Sequence, residues 1–136
     1  ALTPQDDPRF QLHAFVSRGM AEMLAAADVV VSRAGATTLL ELAALAKPTV
    51  LVPNGRLTGG HQLKNAKVYS DKKAVIVVDD EQFGSSDQTE LVEAIRRVLT
   101  DSSLRSNLAK NIHTFARPDA AKDVARMILK AAKKAR

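Results

Sequence analysis

Apolar positions along the 136-residue chain fall into short β-branched runs separated by segments of helical period. That is the pattern of strands alternating with helices. Val29–Val31 has the length and branching of a buried strand, and the small residues Ser32-Arg33-Ala34-Gly35-Ala36 follow it as a tight turn. Leu39, Leu42, Ala43 and Ala46 then recur at helical spacing, so the pattern predicts a helix opened by Thr37 and Thr38 and closed by Lys47-Pro48. Thr49–Val52 begins the next strand.

The same reading extends both ways. Ala1–Arg9 is an irregular opening segment with two prolines. Phe10–Val16 alternates partly and predicts the first strand, in which His13 reads as a core or sheet-face residue. An amphipathic helix over Ser17–Ala26 carries Met20, Met23 and Leu24. Downstream, Asn54–Gly60 is a loop whose three glycines predict mobility. His61–Lys72 is a helix with Leu63, Ala66 and Val68 or Tyr69 available for packing, and Lys73–Val78 a strand ending in the acidic run Asp79-Asp80-Glu81. Those three carboxylates are consecutive and therefore diverge, so the run reads as a solvated loop rather than a metal site. Ser86 or Asp87 should cap a helix reaching Leu99, with Leu91, Ile95, Val98 and Leu99 inward. Helices over Asp101–Ala116 and from Pro118-Asp119 towards Lys134 complete the chain. Four strands alternating with helices imply an α/β fold, a Rossmann-like parallel sheet with right-handed crossovers, in a single domain over residues 1–136.

Composition narrows the function classes. Hydrophobic residues are 46% and charged residues 26%, which suits a folded globular chain, and aromatics are only 4%, so the core must be built from Ala, Val and Leu. No cysteine is present, which removes disulfides and thiolate metal sites. No apolar stretch is long enough to span a bilayer. A net charge of +5 favours anionic partners. Nucleic acid is the weakest of these, because aromatics for base stacking and any recognisable binding motif are lacking.

The chemistry concentrates at Ala27–Thr49. A strand, a small-residue turn and a helix N-terminus together form an anion site, since unpaired backbone N–H groups and the positive end of the helix dipole converge there. Glu41, read as lying on the first turn of that helix, would repel a phosphate placed too close but can grip hydroxyls beside one. The combination suggests a nucleotide, with phosphate on the turn and ribose on Glu41. A purely structural turn, with Glu41 as an exposed or capping acid, explains the same residues.

At this point the run ADVVVSRAGATTLLELAALAKPTVLVP, followed by HQLKNA, resembles the C-terminal donor-binding domain of the MurG-type glycosyltransferases, from about Phe10 to the end of the chain. The resemblance implies the two-domain GT-B fold, of which this chain would be an incomplete C-terminal half. The family's opening strand with its GGSxGA-type loop does not precede Phe10, and the acceptor-binding N-terminal domain would be absent. It implies transfer of N-acetylglucosamine from UDP-GlcNAc to a lipid-linked muramyl-peptide in peptidoglycan synthesis, inverting and without a metal or other cofactor. By resemblance the substrate-binding residues are Val16, through its backbone at the uracil; Arg33, Ala36, Thr37 and Thr38 at the diphosphate; Glu41 at the ribose; and His61 and Gln62 at the sugar. An imidazole and an amide suit vicinal hydroxyls because each offers a donor and an acceptor. The family commonly has two glutamines where this chain has His61-Gln62, and it has one residue fewer between Phe15 and Met20.

No catalytic residue is expected in the chain, the presumed base lying in the N-terminal domain; alone, the chain should bind donor weakly and catalyse nothing. Asn65-Ala66 reads as support for helix packing. The expected location is the cytoplasm. Lys122, Arg126, Lys130, Lys133, Lys134 and Arg136 on the last helix, with Val124, Ile128 and Leu129, suggest a solvated terminal helix first and peripheral contact with an anionic membrane second. Three alternatives stay open: a non-catalytic donor-binding subunit that needs a partner chain, as in the eukaryotic dolichol-linked GlcNAc transferase; a glycolipid-forming GT-B relative; and an α/β module for some other anion.

Overall fold

A computed structural model describes residues 9–55, 59–79 and 89–134. In chain order the elements are α1 (Met20–Ala26), β1 (Val30–Ser32), α2 (Ala36–Ala44), β2 (Thr49–Leu51), α3 (His61–Asp71), β3 (Ile76–Val77), α4 (Thr89–Thr100), α5 (Ser102–His113) and α6 (Ala120–Lys134). The strands form a parallel sheet in the order β1-β2-β3. Val30 is in register with Thr49, Ser32 with Leu51, and Val50 with Ile76. The ladder runs past the strand ends through Val52 N–H to Ser32 O at 2.9 Å and Val78 N–H to Leu51 O at 2.8 Å.

β2 is the central strand and all three of its residues are buried, as a strand covered on both faces must be. Alternation sends its side chains to opposite layers. Leu51 packs with Leu39, Leu42 and Ala43 of α2, with Ala66 and Tyr69 of α3, and with Ile112 of α5. Val50 and Val52 pack with Ala94 and Val98 of α4 and Leu108 of α5. Each fully buried leucine contributes about 1.5–3 kcal/mol of apolar burial. Tyr69 stacks on Phe115 with ring centroids 4.0 Å apart, and burial pushes its phenol above the usual value against a smaller lowering by Arg117. Thr49, a fully buried polar residue, donates its hydroxyl to Lys47 O at 2.8 Å.

The α/β class and the parallel sheet are as expected, with several corrections. Among the described residues there are three strands rather than four. Phe10–Val16 is not a strand: Leu12 is 75% and Phe15 85% exposed, and among the described residues no strand pairs with it, so an extended segment there gains no ladder hydrogen bonds. His13 is therefore an exposed residue beside Gln11 rather than part of a core or sheet face. The first helix starts at Met20 instead of Ser17, after Gly19 in the left-handed region (φ 81°), and Met20 and Met23 are exposed. Leu63, Val68 and Leu99 are exposed too, each sitting off the buried stripe of its helix. Asp101 stands outside α5 as its N-cap, accepting from Leu104 N–H. The expected caps Ser86 and Asp87, the acids Asp80 and Glu81, and the middle of the Asn54–Gly60 loop lie outside the described residues. Every described side chain of α6 from Ala120 to Lys133 is exposed, as expected of a solvated terminal helix.

Candidate functional site

The C-terminal ends of β1 and β2 open onto one edge, and the turn after β1 runs directly into α2. Gly35 is the N-cap of α2, with ordinary extended backbone (φ −71°) and no side-chain cap. Leu39 N–H closes the first helical bond onto Gly35 O at 3.0 Å, so the N–H groups of Ala36, Thr37 and Thr38 precede the first intrahelical donor and point out of the helix end. A methyl at Gly35 would make one ordinary contact, with the Thr38 hydroxyl at 3.9 Å. Neither backbone strain nor packing demands a glycine here.

Glu41 is the sixth residue of α2 and so lies in its second turn, not its first. A first turn of about 3.6 residues from Ala36 is complete by Leu39, two positions before Glu41. Glu41 is four residues from Thr37 and three from Thr38, hence on their face and about 4.5–6 Å further along the axis. That separation keeps a carboxylate clear of an anion at the helix end. Glu41 also lines a cleft of about 380 Å³ between α1 and α2, together with Met20, Ala21, Leu24, Ala44 and Leu45. The cleft is an apolar bed with one carboxylate at its wall. Lys47 holds α1 in place, donating to Ala25 O at 2.6 Å and Ala27 O at 3.0 Å.

The other expected residues converge on the turn from β2 and α3. Arg33 Nη1 donates to Val52 O at 3.0 Å, which anchors a positive charge at the end of β2. Gln62 Oε1 accepts from Asn54 N–H at 2.9 Å, leaving its NH₂ side as the donor face for a ligand. The His61 ring folds back beside Gly59, whose Cβ position lies only 2.7 Å from Nε2. Val16 is half-buried in the irregular segment before α1 and does not line the cleft.

Arg33, the Ala36–Thr38 N–H groups and Gln62 thus gather at one sheet edge, as ligand sites of open α/β sheets do, with Glu41 one turn below. Sequence reasoning missed two contributors: Met20 as a wall of the cleft, and Asn65, whose Nδ2 donates to Ala34 O at 3.0 Å. Neither carries a local signal, because both act across long sequence separations. His113 ends α5 with Nδ1 3.0 Å from Ala43 O, near the C-terminal end of α2 and away from the turn. Among the described residues no group of three or more His, Cys, Asp or Glu side chains converges.

Comparison with known proteins agrees with this geometry. The model of the glycosyltransferase family 28 C-terminal domain matches residues 5–124. A Flavobacterium psychrophilum protein named UDP-N-acetylglucosamine–N-acetylmuramyl-(pentapeptide) pyrophosphoryl-undecaprenol N-acetylglucosamine transferase is 35% identical over 120 residues, covering 88% of this chain and 31% of that protein. A Cytophaga hutchinsonii protein of the same name is 43% identical over 96 residues, 71% of this chain and 25% of that one. The crystal structure of Acinetobacter baumannii MurG superposes with a TM-score of 0.73 at 28% identity, over 88% of this chain and 35% of that one. The chain spans about a third or less of the length of these relatives. Its matched residues, parallel sheet and turn geometry place the chain in the glycosyltransferase family 28 C-terminal domain family.

Proposed function

We propose that this chain is the donor-binding part of an inverting glycosyltransferase that uses UDP-GlcNAc and glycosylates a lipid-linked muramyl-peptide. The observation that carries the reading is the helix end itself: backbone donors at Ala36–Thr38 ahead of the first helical bond, a glycine N-cap with no side-chain cap over them, and Glu41 one turn below on a cleft wall. The diphosphate sits on the donors, the ribose hydroxyls donate to Glu41, and the nucleoside lies along the apolar cleft. His61 and the Gln62 NH₂ read the sugar hydroxyls.

In the reaction an acceptor hydroxyl oxygen bonds to the anomeric carbon, the bond from that carbon to the diphosphate oxygen breaks, and UDP leaves with the electron pair. The proton goes to a base supplied outside this chain, since His61 faces the sugar and His113 lies at the far end of α2. No metal is required: the turn N–H groups, the Thr38 hydroxyl and Arg33 hold the charge that develops on the leaving group, a preorganised electrostatic contribution.

α6 supports a peripheral position on the cytoplasmic face of a membrane. Val124, Met127, Ile128 and Leu129 are exposed on it beside Lys122, Arg126, Lys130 and Lys133, an arrangement suited to an anionic lipid surface. Sedimentation with liposomes that does not depend on acidic lipid would remove this part of the reading.

Titration with UDP-GlcNAc, UDP and ADP, followed by amide NMR, tests the donor site. Shifts clustered at Arg33–Glu41 and His61–Gln62, selective for the uridine ligands and weakened by Glu41→Ala, are expected. Equal responses to ADP would leave only a general anion module.

A further inference from the structure

α3 carries two side-chain amides one turn apart, Gln62 and Asn65, on one face of the helix, and uses them with opposite polarity. Gln62 accepts, from Asn54 N–H beyond β2. Asn65 donates, to Ala34 O in the turn beyond β1, across 31 residues of sequence. The N-terminal turns of α3 are therefore fastened to both loops that border the site.

The Asn65 contact has a directional consequence. Ala34 is fully buried, so its carbonyl depends on a protein partner. The described chain contains no cis peptide bonds, and in a planar trans unit the C=O and N–H point in opposite directions. Gripping Ala34 O thus sets the orientation of the Gly35 N–H and of the turn that leads into the α2 donors. Only a donor side chain can do this; the isosteric aspartate would place an acceptor against an acceptor.

We propose that Asn65 is a positioning residue of the donor site. It holds the diphosphate turn in register with the N-terminus of α3, so that the diphosphate and the sugar attached to it meet their partners at one separation. The inference rests on the reading of the turn as a diphosphate site.

The test measures affinities of the full-length protein for UDP, UMP and ADP, with and without Asn65→Ala. The wild type should prefer UDP to UMP and to ADP. Asn65→Ala should weaken UDP about tenfold, the scale of one lost charge-assisted contact, and leave UMP nearly unchanged. Equal weakening of UDP and UMP, as a merely structural residue would give, overturns the proposal, as does no weakening of either. A wild type that does not distinguish UDP from UMP refutes the diphosphate site, and the role of Asn65 with it. A wild type that binds ADP as well as UDP, yet loses both diphosphates alike on Asn65→Ala, refutes only the uridine reading and supports the proposal. Should Asn65→Ala not fold, the wild type supplies the answer through the scalar coupling across the hydrogen bond from the Asn65 amide to the Ala34 carbonyl. Its detection, with a Gly35 amide shift on adding UDP, supports the proposal, and its absence overturns it.

Discussion

Gly35→Ala separates binding from folding at a single methyl group. Gly35 has φ −71°, which alanine adopts freely, and the added Cβ meets only Thr38 Oγ1 at 3.9 Å, an ordinary contact. As an N-cap, alanine is poorer than glycine by about 1 kcal/mol, while the loss of unfolded-state freedom returns about 0.4–1 kcal/mol. The two nearly cancel, so the melting temperature should move by less than about 5 °C. Ligand binding responds differently on the proposed reading, because a phosphate seated on the Ala36–Thr38 donors also faces this N-cap position. Losing one hydrogen bond to a charged phosphate costs about 1.5–3 kcal/mol, a rise in the Kd for UDP of about 10- to 150-fold. Calorimetric titration with UDP, alongside a circular-dichroism melt, reads both quantities. Unchanged UDP affinity in a folded Gly35→Ala protein would refute the assignment of the phosphate to this turn.

Three further outcomes follow from other parts of the structure. Leu42→Ala, at a fully buried position, should cost about 2–5 kcal/mol in denaturant unfolding, whereas Leu40→Ala on the exposed side of the same helix should cost well under that. Gly59→Ala puts a Cβ 2.7 Å from His61 Nε2 at φ +87°, while Gly60→Ala at φ +58° meets nothing within 4 Å. Both carry backbone strain of about 1 kcal/mol, but only Gly59→Ala should lower the preference for UDP-GlcNAc over UDP in competition binding. Tyr69 has a phenol raised from 10.0 by burial, so its stabilising contribution is complete below about pH 10 and is lost as pH rises through the higher folded value. Denaturation at a series of alkaline pH values should show stability falling above pH 10, and Tyr69→Phe should flatten that part of the curve.

The local grammar of the chain was legible because its causes are local. A β-branched run, a turn of small residues and a helical period determine β1, the turn and α2 within 20 residues, and they carry the row of backbone donors with them. Helix ends were less so. The helix starts at Ala36 because Gly35, not a threonine, serves as its N-cap, and Glu41, its sixth residue, stands in the second turn. Leu91, Ile95 and Val98 turn inward together, but Leu99 sits at the edge of that stripe, where only the packing of α4 on α5 decides exposure.

What the sequence determined by itself is therefore the alternating α/β order, the donor row at the head of α2 and the polar pair that opens α3. Tertiary structure alone decided the rest. Phe10–Val16 has strand-like alternation yet forms no strand, because a strand exists only when another supplies its hydrogen bonds. Met20 becomes a cleft wall only because Lys47 fastens α1 beside α2. Asn65 reaches Ala34 across 31 residues. Periodicity reports which face of an element is buried, but the partner on that face comes from elsewhere in the chain and leaves no trace in the local pattern.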